Sequence, residues 1–412
     1  MQFATIQSTQ AIYDFQVENT TFIKKSCHKE MHIRLRRTNS FVCAKCGSSH
    51  VSAYPERERR IMGVPMGRCL CVIRVIVHRL RCVQCGARSY EKLPFLSSSK
   101  IRVTRQLERT IIELRREMSI SAVATFYGLD WKTVKDIEKN ALRHKYAKVA
   151  LKNVKRIAID EIYVFRKAIR ANEKYVTVVR DLDTGAVLEV ARGKGVQALE
   201  AFTKRIRKFN KNITLACMDM SNAYSAWVFK HLPYADIVYD HFHIIKAMND
   251  KLDHVRRRVI RNMDENTRSS IKRKRFLFLR NAENLNPDQR DSLQVARTQC
   301  RELSDSYMLK ETLRSIYAQT HNELDAAIQL EAWCDIAMKC NVPEMTDMAK
   351  TIHKHFSGIL AYWRNKKASN ASQEGFNNKI RWLISQAYGF HDYQYFRLKV
   401  FDLPSTNIKK SI

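Results

Sequence analysis

The stretch Arg156-Ile-Ala-Ile-Asp-Glu-Ile-Tyr-Val-Phe165 places two adjacent acids inside a run of apolar and β-branched residues. Such a run reads as a buried strand. A carboxylate within a buried strand is costly unless it is paired, hydrogen-bonded or bound to a metal. Strand side chains alternate between faces, so only one of Asp160 and Glu161 can serve a given side of a sheet. Periodicity leaves that choice open, and a salt bridge to Lys or Arg is the plainer role for either acid.

Downstream, Tyr175-Val-Thr-Val-Val-Arg180 reads as a second strand and Ala186-Val-Leu-Glu-Val190 as a third, separated by the turn Asp181-Leu-Asp-Thr-Gly185. Residues 195–209 read as a helix with Leu199, Phe202 and Ile206 on one face. Ile213-Thr-Leu-Ala-Cys-Met-Asp219 is a fourth strand ending in an acid, residues 223–230 a short helix, and Ala235-Asp-Ile-Val-Tyr-Asp240 a fifth strand. Three antiparallel strands, helix, strand, helix, strand is the order of an RNase H-like sheet. In that topology the first and fourth strands are neighbours, so acids on both can meet. Asp240 ends the fifth strand and either supports such acids or caps the next helix. His243 follows closely and either contacts a phosphate or is structural.

Upstream, Cys43-Ala-Lys-Cys46 and Cys82-Val-Gln-Cys85 are two CxxC pairs, each followed by Gly. Each pair can grip one side of a tetrahedral ion, and Gly permits the turn that closes the knuckle. Leu70-Cys-Val-Ile-Arg-Val-Ile-Val77 between them is strand-like. The expectation is a zinc ribbon over residues 1–95, with structural Zn²⁺ on Cys43, Cys46, Cys82 and Cys85. Cys27, Cys69 and Cys71 lack the spacing and read as free thiols, while Cys217, Cys300, Cys334 and Cys340 read as small core residues.

Between ribbon and sheet, Ser119-Ile-Ser-Ala-Val-Ala-Thr-Phe-Tyr-Gly128 and Leu129-Asp-Trp-Lys-Thr-Val-Lys-Asp-Ile-Glu138 outline two helices joined at a glycine. This predicts a helix-turn-helix within 96–150, with Ala122, Val123, Val134 and Ile137 as its core. Its second helix would offer Lys132, Thr133 and Lys135 to DNA. A plain helical hairpin is the alternative.

The chain carries 73 Lys and Arg against 41 Asp and Glu, a formal charge of +32 over 412 residues. That excess favours a polyanionic partner. Apolar runs fall short of the ~20 residues a membrane span needs, and no secretory leader pattern opens the chain, so a cytoplasmic location is expected. Residues 251–360 read as a large α-helical insertion. It contains His254-Val-Arg-Arg-Arg258 and Ile271-Lys-Arg-Lys-Arg275, in which Arg256, Arg257, Lys272 and Arg273 are either phosphate contacts or a solvated face. The last segment, 361–412, opens a helix near Ser372, its candidate cap, with a stripe through Phe376, Ile380, Leu383, Ile384 and Ala387. Glu374 lies in its first turn, where the helix dipole alone suffices to account for it.

Taken together these segments resemble a known family. Cys43-Ala-Lys-Cys-Gly47, Arg81-Cys-Val-Gln-Cys-Gly86, Ala158-Ile-Asp-Glu161, Tyr175 to Gly185, Met218-Asp-Met-Ser221, Asp240-His-Phe-His-Ile-Ile-Lys246, Gly375-Phe-Asn-Asn-Lys-Ile380 and Ala387-Tyr-Gly-Phe390 run in order from about residue 40 to 400. The chain is similar to the zinc-ribbon DDE transposases of bacterial insertion sequences of the ISL-three type. The residues before Glu374, Asn370-Ala-Ser-Gln373, depart from that pattern, although the Glu itself is kept. The resemblance implies a multi-domain α/β protein in which Asp160, Asp219 and Glu374 are the catalytic acids and hold Mg²⁺ or Mn²⁺. It implies double-stranded DNA partners, namely terminal inverted repeats and target DNA, and a homo-oligomer on that DNA. Hard cations prefer carboxylate oxygen, and three carboxylates can hold two ions while leaving positions open for phosphate. A catalytically inactive DNA-binding regulator and a nuclease without strand transfer are the competing readings.

Overall fold

The computed structural model describes all residues except 1–2, 11, 26–27, 99–100, 166–170, 369–370, 388 and 405–412, together with the side chains of 3–5, 266, 270 and 371–372. Cys27 and the cap read for Ser372 fall outside the described groups. The chain forms two compact units, Met1–Ala147 and Lys148–Ile412.

The first unit opens with α1 (Phe3–Gln10) and the hairpin of β1 (Phe15–Lys24) and β2 (Lys29–Arg37). A second, longer hairpin follows, β3 (Val51–Met66) with β4 (Cys69–Cys82), and β5 (Arg88–Tyr90) adds to β4. The sheet runs β1-β2-β4-β3, with β2 parallel to β4. The first hairpin is the element missing from the sequence reading, although Met31, Ile33 and Leu35 alternate with polar neighbours and are all buried. They join Phe15, Ile61, Ile73 and Phe95 in one core. Gln10 enters that core like a strand residue. Its Nε2 donates to Val64 O at 2.7 Å, and its Oε1 accepts from Val64 N at 2.8 Å.

Gly63 is required by this arrangement, because a Cβ there would collide with the Gln10 amide and approach Cys71 Sγ at 3.1 Å. Gly63→Ala is expected to lower stability by about 1–3 kcal/mol, as overpacking of a filled core does. Denaturant unfolding checks this, and an unchanged midpoint refutes it.

The unit ends in three helices, α2 (Arg105–Leu114), α3 (Ile120–Tyr127) and α4 (Trp131–Lys145). Thr104, Ser119 and Asp130 cap them through their side chains. Gly128 closes α3 at φ +62°, the left-handed conformation that glycine adopts without strain. Val123, Ala124, Val134 and Ile137 pack with Leu107 and Ile111. Ala122, expected in this core, is exposed; the buried face of α3 lies one residue further along.

The second unit is built on β6 (Arg156–Tyr163), β7 (Tyr175–Asp181), β8 (Val187–Arg192), α5 (Glu200–Ile206), β9 (Leu215–Met218), α6 (Asn222–His231) and β10 (Asp236–Tyr239). The sheet order is β10-β9-β6-β7-β8. β6, β7 and β8 are antiparallel, while β9 runs parallel to both β6 and β10. The first and fourth strands of this unit are therefore adjacent, as the element order predicts. The expected helix over 195–209 is broken: a 3₁₀ turn, Val196–Leu199, precedes α5. Its apolar face, Leu199, Phe202 and Ile206, is buried as expected.

A single helix, α7 (His241–Arg261), leaves β10 and runs on through residue 250. Then come α8 (Glu265–Ile271), α9 (Arg275–Leu279), α10 (Pro287–Thr298), α11 (Arg301–Gln319), α12 (Glu323–Lys339), α13 (Pro343–Lys354) and α14 (Phe356–Arg364). α14 returns to pack on β10, where Gly358 lets the Tyr239 ring approach. Sheet and helices share one apolar core, from Ile159 and Cys217 through Leu252 and Trp333 to Trp363. The chain ends in α15 (Ala371–Gln386), which packs against β6, and α16 (Tyr393–Asp402), which packs against β8.

Candidate active site

Strand register decides which of the two adjacent acids shares a face with Asp219. Ala158 pairs with Cys217 across the parallel β6–β9 ladder. Asp160 and Asp219 each lie two residues beyond that pair, so alternation turns both to one face and Glu161 to the other. On the far face Glu161 Oε1 accepts from Gly195 N at 3.2 Å and from the Tyr224 hydroxyl.

Asp160 is 7% exposed. Its Oδ1 accepts from Glu161 N at 2.8 Å, and its Oδ2 accepts from Asn377 Nδ2 of α15. Burial, followed by the neighbouring Asp219 charge, pushes its carboxyl up to about 6 despite those hydrogen bonds. Asp219 sits where β9 stops. Its Oδ1 is buried and paired with His243 Nδ1 at 2.8 Å. His243 Nδ1 is also 3.2 Å from Asp240 Oδ2. Desolvation disfavours the imidazolium, but these two carboxylates outweigh it and raise the imidazole to about 10. Asp240 stands at the N-cap position of α7 without making a side-chain cap bond. It is 3% exposed, and its carboxylate faces His243 instead. Among the described residues, Asp160, Asp219 and His243 bring ligand atoms within 4.8 Å of one another.

α15 lies over the same face of β6 and β7. Arg180, buried on β7, stacks on Phe376 with its guanidinium carbon 4.2 Å from the ring centroid, and donates to Gln373 Oε1 at 3.3 Å. Glu374 is exposed and outside the 4.8 Å group. It lies three residues before Asn377, one turn along the same helix face. Asn377 and Gln373, which make the contacts to the sheet, had no signal of their own in the sequence.

The cysteine pairs meet as their spacing predicts. Val51 pairs with Cys82 in the β3–β4 hairpin, which closes one knuckle onto the other. Cys43 and Cys85 sulfurs are 3.6 Å apart, as are those of Cys46 and Cys82. Gly47 and Gly86 adopt φ of +74° and +66°. A tetrahedral ion with ~2.3 Å metal–sulfur bonds has S···S edges of about 3.8 Å; the two sulfur pairs are close to that, and all four sulfurs lie within 4.8 Å of one another.

The candidate DNA contacts are scattered. Lys132 is exposed at the start of α4, with Thr133 and Lys135 half-buried. Arg256 is held by Asp253 through two bonds of 2.9 and 2.7 Å, and Arg257 lies 3.2 Å from the same carboxylate. Lys272 and Arg273 are exposed in the turn between α8 and α9, with Arg273 at φ +72°.

A family model described as transposase matches residues 157–400, and one described as the helix-turn-helix domain of transposase family ISL3 matches residues 92–141. The chain belongs to transposase family ISL3. Relatives include the transposase for insertion sequence element IS1001 of Bordetella parapertussis, 29% identical over 87% of both chains. The transposase for IS1557 of Mycobacterium tuberculosis is 26% identical over 71% of this chain and 69% of its own. A solved chain of the Drosophila P element transposase strand transfer complex aligns at a TM-score of 0.41 and 11% identity, over 74% of this chain and 92% of that one, a likeness too low to argue from.

The chain is thus an insertion-sequence transposase with a helix-turn-helix region and a DDE-type catalytic domain, an enzyme of metal-dependent DNA cleavage and strand transfer. The reading as an inactive regulator is not favoured. The site suits the divalent metal that such a domain uses: the Asp160 and Asp219 carboxylates, with His243 Nδ1 2.8 Å from Asp219 Oδ1, offer ligand atoms within 4.8 Å of one another. No described helix is long and apolar enough to cross a membrane.

Proposed function

We propose that Asp160, Asp219 and Glu374 hold Mg²⁺ or Mn²⁺ and form the catalytic triad of an RNase H-like core. The observation that carries this is the shared face of Asp160 and Asp219, onto which α15 docks through Asn377. A divalent cation bound there supplies positive charge to the attacking and leaving oxygens of an in-line displacement at phosphorus. The chain's own acids fix its position and leave the remaining coordination to water and phosphate. Glu374, one turn from Asn377 on α15, is the third acid of this proposal. A second reading has an observation of its own: His243, already at Asp219, supplies the third ligand atom.

The substrate of this proposal is double-stranded DNA, with terminal inverted repeats recognised first and target DNA joined second, by a homo-oligomer assembled on DNA in the cytoplasm. Residues 1–95 form a ribbon holding structural Zn²⁺. Residues 96–150 bind DNA through Lys132, Thr133 and Lys135, with Arg256, Arg257, Lys272 and Arg273 as further contacts. Residues 151–250 and 361–412 make the catalytic core, and 251–360 the helical insertion. Purified protein is expected to nick and join duplexes carrying the inverted repeats that flank its own gene, given Mg²⁺ or Mn²⁺ and not with EDTA. Cleavage without joined products would reassign it as a nuclease.

A further inference from the structure

The first unit holds a cleft of about 1210 Å³. It is walled by β3, by the residues after β5 and by the segment leading into α2. Six cationic side chains line it, Arg57, Arg59, Arg60, Lys92, Arg102 and Arg105, against two acids, Glu58 and Glu91. Both acids are engaged elsewhere. Glu58 lies 3.5 Å from each of Arg34 and Arg74. Glu91 is buried and bound by Arg37 at 2.9 Å and His78 at 2.7 Å. Among the described residues, Arg57, Lys92 and Arg102 have no ion-pair partner.

The cleft is built rather than incidental. Met62 N donates to Arg102 O at 2.8 Å, and Thr104 N to Met62 O at 2.9 Å, pinning the 101–104 segment alongside β3. Arg59 Nη2 donates to Ile101 O at 2.8 Å. Arg57 lies over the Tyr90 ring at 5.6 Å. The fold thus holds three guanidinium groups near one another. Burial, with Arg57 and Arg102 adding repulsion, lowers the proton affinity of Arg59. Like charges fixed this way are unfavourable until an anion arrives. Arginine forks match phosphate oxygens two at a time.

We propose that this cleft is a second DNA-binding site, one that grips the phosphate backbone of the duplex seated on the helix-turn-helix. One observation points to duplex DNA. Arg60 and Arg102 also border a smaller hollow of about 320 Å³ that reaches Gly128, Asp130 and Thr133. The start of α4 and the cleft are therefore neighbours within one unit, and one duplex can span both. The proposal rests on the DNA-binding role of α4 and adds a contact blind to base sequence.

The test uses the full chain carrying Arg57→Gln and Arg102→Gln together. Binding is measured against salt concentration with two duplexes of equal length, one ending in the element's own repeat and one unrelated. Each lost phosphate contact flattens the salt dependence by about 0.9 in log–log slope and weakens binding about tenfold near 0.1 M salt. Both duplexes are expected to suffer equally, so that their affinity ratio holds. Arg57→Lys with Arg102→Lys is expected to restore most of the slope. An unchanged slope in a variant with the wild-type melting temperature overturns the proposal, as does a loss confined to the element's own end. Wild-type protein that binds neither duplex overturns the DNA-binding role of α4 as well.

Discussion

Asp160→Asn, Asp219→Asn and Glu374→Gln are each expected to cut cleavage and strand transfer by about 10³-fold or more, the scale set by removing charge stabilisation from a transition state. Binding to the element's ends is expected to stay within a few-fold of wild type. The separation follows from where these groups lie. Asp160 and Asp219 stand on one sheet face of the second unit, and Glu374 one turn from Asn377 on α15. The helix-turn-helix belongs to the first unit. Wild-type strand transfer by any one variant would sink the triad. Metal binding has a readout independent of activity. Mg²⁺ or Mn²⁺ at a hundred times its Kd should stabilise wild-type protein by about 2.7 kcal/mol, and this gain should vanish in Asp160→Asn.

The same series separates the two candidates for the third ligand. Asp219 Oδ1 is paired with His243 Nδ1 at 2.8 Å, a position from which the imidazole can support the carboxylate or itself ligate a cation. Under the triad, His243→Ala slows the reaction but leaves metal-dependent stabilisation in place, and Glu374→Gln removes both. If instead Glu374→Gln retains the stabilisation and His243→Ala loses it, His243 is the ligand.

What the residues disclose, and what they withhold, follows from how far each interaction reaches. The strands of the catalytic sheet are local patterns, and so are the helix starts at Ser119 and Asp130. Choosing Asp160 over Glu161 depends on the Ala158–Cys217 register, a relation across 59 residues that no local period contains. The bond from Asn377 to Asp160 spans 217 residues, and the bond from Arg180 to Gln373 spans 193. Both are invisible from either end. Glu374 shows the limit most sharply: in the first turn of a helix a carboxylate already has a dipole to satisfy it, so only family resemblance singles it out. The β1–β2 hairpin is a different kind of miss. Met31, Ile33 and Leu35 state a half-buried strand plainly, but the charged run after Pro55 hides β3, and without β3 the sheet is not recognised.

Cys82→Ser is expected to remove the proposed Zn²⁺, one ion per chain, and to unfold the cysteine-bearing end of the β3–β4 hairpin. Structural zinc contributes about 10–16 kcal/mol of apparent binding free energy to small cysteine sites at neutral pH, and that energy is folding energy. Few apolar side chains stand behind it here. Val42, Tyr54, Val83 and Tyr90 near the knuckles are exposed; Leu80 is the buried apolar side chain beside Cys82, and Val77, Val75, Ile73 and Ile61 lie progressively further from the knuckles. The loss should therefore spread unevenly. Amide exchange around residues 42–55 and 80–90 should rise to that of an open chain, while the β2–β4 ladder from Met31 to Leu35 stays protected. Because Tyr90, Glu91 and Lys92 also wall the arginine cleft, chelation should weaken binding to both duplexes while leaving their ratio unchanged. Metal analysis of the wild-type chain comes first. If it carries no zinc, or if chelator leaves exchange and DNA affinity untouched, the four thiols are a reduced cluster that packs without an ion.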